Sequence, residues 1–174
     1  MTITQDRLKE LLDYNPSTGV FRWKENTGSR GKKGAVTGCV RWDKHSFPEE
    51  PNDCKKYMII GVDGKTHRAH RLAFLYVHGY MPKEVDHKDN HGLHNWIDNL
   101  REATHAQNNW NKKLKINNKS RYKGVCLDKR RGTWRAEIQA NKVRYSGTGF
   151  DTPELAYSWY CQKAKELHGE FARV

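Results

Sequence analysis

Between Val85 and Asn111 the chain reads VDHKDNHGLHNWIDNLREATHAQNNWN. That stretch restricts the fold more than any other, because it places acid, imidazole and amide side chains around a short apolar framework of Trp96, Ile97 and Leu100. Glu84-Val85 is extended in character, so Asp86 and His87 are expected where a short strand ends. Asn99-Leu100-Arg101 reads as the start of a second short strand. Thr104 is a suitable N-cap, and His105-Ala106-Gln107-Asn108-Asn109 supplies the first turns of a helix. Folded on itself, such a ββα unit brings Asp86, His87 and Asn108 towards one point.

The chemistry of these groups is coherent. A carboxylate and an amide oxygen are hard ligands suited to Mg²⁺ or Mn²⁺, ions that keep several waters and share substrate phosphates. A neutral imidazole, with an ordinary pKa near 6.5, can take a proton from an attacking water. Ion, base and phosphate together describe phosphodiester hydrolysis.

These residues resemble the His-Asn-His (HNH, ββα-metal) endonuclease motif in the form found in phage and intron homing endonucleases. Asp86-His87 matches the first motif position, Asn99 of DNLR the middle one, and Asn108 the last, with Asn in place of the final His. The resemblance implies His87 as general base and Asn99 as the residue bracing the loop behind it. It further implies Asp86 and Asn108 as ligands of one Mg²⁺ or Mn²⁺ per active site. The His-Arg-Leu-Ala pattern at residues 70–73 and the opening Leu-Leu-Asp-Tyr-Asn-Pro…Gly-Val-Phe-Arg-Trp-Lys also resemble phage members of that family. His70 and Arg101 are candidate neighbours of the active centre, although a helix-start histidine with a structural hydrogen bond is the preferred reading of His70.

Composition agrees with a polyanionic partner. The net charge is +12 and only 36% of residues are hydrophobic, which favours small domains joined by a polar link over one large core. Residues 112–174 carry 15 Lys and Arg against 6 Asp and Glu, net +9, so most of the attraction lies in the second half. No apolar run approaches the roughly 20 residues of a membrane span, and residues 1–6 do not form a signal peptide. A cytoplasmic protein is expected, in the host cell if phage-encoded. Cys39, Cys54, Cys126 and Cys161 form no CxxC pair, so no structural zinc is expected and all four are read as free thiols.

Towards the N-terminus, Thr4 caps a short helix with Leu8, Leu11 and Leu12 on one face, and Val20–Trp23 alternates like a strand after a turn at residues 15–19. Residues 25–56 show little periodicity, and Ser29–Gly34 is a basic loop that could meet phosphates. Tyr57–Val62, Asp63-Gly64 and Lys65–Arg68 give a hairpin signal. A helix follows, stopped by Gly79. Asn111–Lys119, with four lysines and no acid, reads as a basic linker.

Beyond it, three strand-like runs and a helix begun by Thr152-Pro153 predict a small antiparallel sheet backed by one helix. Ser-x-Tyr-Lys-Gly-Val, Gly-x-Trp-x-Ala-x-Ile, Phe-Asp-Thr-Pro-Glu-x-Ala and Gly-Glu-Phe-Ala resemble the APETALA2-like DNA-binding domain, and they cover nearly all of 120–174. In that family the open sheet face enters a major groove. The resemblance implies DNA contacts by Lys123, Glu137, Arg144 and Tyr160, while Arg121, Arg131 and Arg135 follow from charge and alternation. Cys126 and Ser146 depart from the plant pattern, which removes the plant target sequence as a guide.

The expected fold class is therefore α+β, a ββα-metal nuclease domain followed by a three-stranded antiparallel sheet packed on one helix. Residues 1–110 form the nuclease, with 1–56 an N-terminal extension and 57–110 the catalytic core. Residues 111–119 are the linker and 120–174 the DNA-binding domain. The expected activity is metal-dependent endonucleolytic hydrolysis at a recognised site in double-stranded DNA. Its rivals are a non-catalytic DNA-binding regulator with a vestigial nuclease fold and an RNA-directed protein. A groove-reading sheet fits B-form DNA better than A-form RNA. No membrane or protein partner is implied, and one motif per chain is compatible with monomer or dimer.

Overall fold

The computed structural model describes residues 3–28, 31–42, 56–114 and 118–174. The chain divides into two compact units, Met1–Ala103 and Thr104–Val174.

In the first unit, helix α1 (Gln5–Leu11) starts at Thr4, whose hydroxyl accepts from the Arg7 N–H. Its apolar face buries Leu8, and the chain passes directly into strand β1 (Leu12–Asn15). Sequence periodicity carried Leu12 into the helix, whereas its backbone is extended and pairs with Trp23 of β2 (Val20–Trp23). The turn between them is fastened by Asn15 Oδ1, which accepts from the N–H groups of Ser17 and Thr18.

Strands β3 (Cys39–Trp42), β4 (Lys56–Val62) and β5 (Lys65–Arg68) form an antiparallel sheet in the order β3-β4-β5. Asp63 and Gly64 both have positive φ, as a tight primed hairpin turn requires. Strand β3 lies within the stretch whose sequence shows no periodicity. All four of its residues are exposed, so no burial pattern was imprinted on them. Of the basic loop 29–34, Ser29 and Arg30 lie outside the described residues.

Helix α2 (Ala69–His78) buries Leu72, Ala73, Phe74 and Leu75 and ends where Gly79 adopts the left-handed conformation. Strands β6 (Glu84–His87) and β7 (Leu100–Ala103) then pair antiparallel, with Asp86 opposite Arg101 and His87 opposite Leu100. One core joins Leu8, Leu12, Tyr14, Phe21, Ile60, Leu72, Val85 and Leu100. The N-terminal hairpin is therefore built into the body of this unit.

The second unit opens with helix α3 (His105–Trp110), where Thr104 and Gln107 form a reciprocal capping box. Strands β8 (Val125–Asp128), β9 (Thr133–Ala140) and β10 (Val143–Phe150) make an antiparallel sheet with β9 central. Helix α4 (Pro153–His168) covers one face, capped by Thr152 and started by Pro153. Ala136, Ala156 and Ala164 are fully buried between sheet and helix, which lets the two layers approach closely. Gly124, at positive φ, lies against the Tyr160 ring, where an added Cβ would sit 2.3 Å from the ring.

The protein is thus a mixed helix and sheet chain with small antiparallel sheets. Among the described residues, Cys39, Cys126 and Cys161 are free thiols; Cys54 lies outside them. No helix among the described residues is long and apolar enough to cross a membrane.

Candidate active site

Asp86 and His87 end strand β6, and both are buried. Asp86 is held by Arg101 of the paired strand, whose Nε and Nη2 reach Asp86 Oδ2 at 3.0 and 2.9 Å. The pair is nearly sealed from solvent, with side-chain exposures of 11% for Arg101 and 5% for Asp86. Burying a carboxylate alone would be costly, and the guanidinium makes the charged form tolerable.

His87 Nε2 lies 3.2 Å from Asn95 Oδ1. Asn95 Nδ2 donates to the Leu93 carbonyl, which fixes the amide with its oxygen towards the imidazole. An amide oxygen accepts, so this contact suits the neutral tautomer with its proton on Nε2 and its lone pair on Nδ1. Burial holds its pKa below the usual histidine value, a shift that the Asn95 bond and the charges of Asp89 and Asp86 only partly oppose. The ring is thus neutral at pH 7, as a proton acceptor must be.

Between the strands, residues 88–98 form a loop that Asn99 ties together. Asn99 is 5% exposed. Its Oδ1 accepts from the Asp89 N–H at 3.1 Å, while its Nδ2 donates to Asp89 Oδ1 at 3.0 Å and to the His94 carbonyl at 2.8 Å. The Lys88 N–H adds a bond to the Asn99 carbonyl. His94 Nδ1 bonds the other oxygen of Asp89. Burial alone would raise the Asp89 carboxyl, but His94, the His91 N–H and Asn99 together hold it below its ordinary range. The framework of this stretch is therefore polar: Asn95, Asn99 and Leu100 are buried, whereas Trp96 and Ile97 are only half-buried.

The N-terminal hairpin buttresses the same loop from outside. Tyr14 donates its buried hydroxyl to the Asn95 carbonyl at 2.7 Å, and the Ile97 N–H donates to the Pro16 carbonyl. Gly19, at positive φ, lies so close that an added Cβ would sit 2.4 Å from the Asn95 carbonyl carbon. The LDYNP…G opening thus supports the residue that orients His87, a connection the sequence did not disclose.

His70 does not conform to the structural hydrogen bond expected of it. Its ring packs edge-on against His87, with centroids 4.8 Å apart, and Tyr57 flanks both. His70 Nδ1 is buried without a hydrogen-bond partner. Burial pushes its pKa well below the ordinary value, helped by His87, Arg68 and Arg71. Arg101 and His70 therefore both lie at the Asp86–His87 centre. Asn95 and Tyr57 are neighbours that sequence reasoning missed; neither has a spacing that distinguishes it from a polar loop or an ordinary strand residue.

Asn108 lies half-buried in α3, its N–H bonded to the Thr104 carbonyl. A metal centre built only from side-chain acids, thiols and imidazoles does not arise, since no group of three or more His, Cys, Asp or Glu is placed to hold an ion among the described residues. The chemistry on the strand β6 side is that of a hard oxygen donor, the kind a divalent ion takes. Asp86 supplies that carboxylate, held at Oδ2 by Arg101. A hard, partly hydrated ion needs only one or two such protein ligands.

In the second unit, the face of the sheet away from α4 carries Arg135, Glu137 and Arg144, placed together by the pairing of Cys126 with Arg135 and of Arg144 with Gln139. Arg135 and Arg144 are exposed there, and Arg135 pairs with Glu137 at 3.2 Å. Arg121 and Arg131 are exposed in turns. Two expected contact residues face elsewhere. Tyr160 is 4% exposed, packed in the core beneath α4. Lys123 turns inward and donates to the carbonyls of Trp110 and Arg173. Tyr160 is needed to fill the space above Gly124, and Lys123 to satisfy backbone oxygens.

Residues 67–110 match a protein family described as HNH endonuclease. The chain is 34% identical over 111 residues to Protein 3.8 of Escherichia phage T7, covering 63% of this chain and 91% of that protein. It is also 35% identical over 106 residues to an uncharacterized HNH endonuclease of Acanthamoeba polyphaga mimivirus, covering 59% of this chain and 54% of that protein, so it spans about half of that relative's length. No solved structure matches the chain.

Proposed function

We propose, from the HNH endonuclease domain that residues 67–110 match and from the similarity to a relative described as an HNH endonuclease, that the chain is a metal-dependent, homing-type endonuclease acting at a recognised site in double-stranded DNA. The observation that carries this reading is the placement of His87, buried at the end of β6 beside Asp86 with its Nε2 against the Asn95 amide oxygen; burial, which lowers its pKa, supports it. His87 Nδ1 takes the proton of the attacking water as its oxygen bonds phosphorus and the bond from phosphorus to the leaving sugar oxygen breaks. Asn95 keeps the imidazole turned for that transfer, and Asn99 keeps the loop bearing Asn95 in place. Asp86 and Asn108 are the proposed ligands of one Mg²⁺ or Mn²⁺, which when bound would offset charge developing on the phosphate. Arg101 holds the Asp86 carboxylate for that task.

The C-terminal unit is proposed as the APETALA2-like DNA-binding part, with residues 57–110 as the catalytic core and 111–119 as a linker. Support comes from a three-stranded sheet whose open face presents Arg135, Glu137 and Arg144, with Arg121 and Arg131 exposed in adjoining turns. A basic open face suits a groove with its phosphate walls. Lys123 and Tyr160 serve this part from within.

The test is cleavage of plasmid and phage DNA with Mg²⁺ or Mn²⁺ and with EDTA, comparing the protein with His87→Ala. Cutting is expected only with the metal, and the variant should lose about 10²–10⁴-fold in rate with its gel shift retained. A variant that cuts at the parent rate removes His87 from the mechanism.

A further inference from the structure

Helix α3 has six residues and none of them is fully buried. Helices shorter than roughly 12 residues are marginal in water unless tertiary contacts hold them, so something must secure this one. Its N-terminus is closed by the Thr104–Gln107 capping box. Its C-terminus is secured by the C-terminal module. The Trp110 indole stacks on the His168 imidazole at the end of α4, with centroids 4.1 Å apart and planes 6° from parallel. His168 is itself fixed, with Nε2 3.0 Å from the Gln139 carbonyl of β9.

Lys123 supplies the second fastening. Its ammonium reaches the Trp110 carbonyl at 2.6 Å and the Arg173 carbonyl at 3.1 Å. The last carbonyls of a helix have no intrahelical partner, and a cation there also complements the helix dipole. Half-burial drives the Lys123 pKa down to about 8, with Arg173 adding to the effect. A lysine kept in so unfavourable a place is engaged with those carbonyls rather than extended into solvent. The next residue, Asn111, is buried at 4% exposure although the sequence counts it with the linker.

We infer that the C-terminal unit is the seat of the helix bearing Asn108, with Lys123 and His168 as positioning residues, so that the part proposed to grip DNA also sets the last residue of the nuclease motif. This rests on the nuclease reading given above. Its consequence is that the two activities are not separable at the linker: a chain ending at Lys119 keeps α3 and its capping box but loses the Lys123 and His168 contacts at its C-terminal end. DNA bound to the sheet face would act on the same unit that holds α3.

The experiment uses the full-length chain and the variants His168→Ala, His168→Phe and Lys123→Met. Amide hydrogen exchange is read over residues 104–111, alongside kcat and Kd on duplex DNA with Mg²⁺ or Mn²⁺. His168→Ala and Lys123→Met should each speed exchange across α3 by tenfold or more. Misplacing a reacting group by about 1 Å costs on the order of 10²-fold, so kcat should fall by roughly 10–100-fold while Kd moves less than about threefold. His168→Phe keeps a flat ring under Trp110 and should restore both readings; failure to do so in a folded variant overturns the role of the stack. Unchanged exchange in both disruptive variants overturns the inference. So does weaker binding with kcat intact, which would make Lys123 an ordinary phosphate contact. If the parent protein cuts no DNA with either metal, the nuclease reading fails, and exchange across α3 still decides the fastening.

Discussion

Replacing Asn99 by Ala removes three side-chain hydrogen bonds at once, from the Asp89 N–H, to Asp89 Oδ1 and to the His94 carbonyl. The two neutral bonds contribute about 1 kcal/mol each and the one to a carboxylate about 1.5–3. Asp89 is 35% exposed, so water can replace part of what it loses. A net loss of about 3 kcal/mol follows, a large share of a typical stability of about 5–15 kcal/mol. With a urea slope near 1.5 kcal/mol per molar, the unfolding midpoint of the N-terminal unit should drop by about 2 M. The released segment leads directly into Asn95, so kcat should fall by about 10–100-fold in variant still folded, with DNA affinity retained. Asn99→Asp sharpens the test. It sets a second carboxylate about where Nδ2 lies, 3.0 Å from Asp89 Oδ1, and faces the His94 carbonyl with an acceptor. At pH 7 it should therefore be less stable than Asn99→Ala. Two carboxylates so close raise one pKa in the folded state, so the relative loss should shrink as pH falls through that value. An Ala variant within about 1 kcal/mol of the parent, or an Asp variant as stable as Ala at pH 7, refutes the claim that Asn99 ties this loop.

Two further predictions concern acid and salt. His70 is buried and neutral with a depressed folded-state pKa, so its contribution is present above the unfolded value near 6.5 and is lost as pH falls from there through the folded value. His70→Phe should flatten that decline in urea unfolding between pH 7 and 5, and an identical pH profile would exclude His70 as its source. Arg144→Ala should weaken DNA binding and reduce the slope of log K against log salt by up to about 0.9, leaving kcat at saturating DNA unchanged; an unaltered slope would mean that Arg144 contacts no phosphate.

Where a local rule governs the backbone, the sequence announces the structure. Thr4, Thr104 and Thr152 cap helices because their hydroxyls accept from the N–H three residues on. Asp63-Gly64 turns because both residues reach positive φ, and Gly79 ends α2 for the same reason. Strand β3 was not foreseeable, since its residues show solvent on both faces and are defined only by pairing with β4. Leu12 is ambiguous in the sequence because one leucine satisfies the apolar face of α1 and the first inward position of β1 equally well.

The motif residues of the site are visible because their chemical types recur at set spacings, but what holds them in place comes from elsewhere in the chain. Asn95 carries no mark that separates it from Asn90 or Asn111, and its importance comes from a backbone that points its amide oxygen at His87. That backbone is held from outside by Tyr14 and Pro16, about 80 residues earlier in the chain. His70 presents the same difficulty in another form: a histidine at the start of a helix resembles a capping residue until its ring is found against His87. The family pattern points Lys123 and Tyr160 at DNA, yet a pattern cannot tell an outward side chain from an inward one. Lys123 lies just before β8, and only the carbonyls of Trp110 and Arg173 reveal its direction. The division between Ala103 and Thr104 follows the same logic. A nuclease motif read along the chain ends after α3, but the packing that stabilises so short a helix comes from residues that follow it.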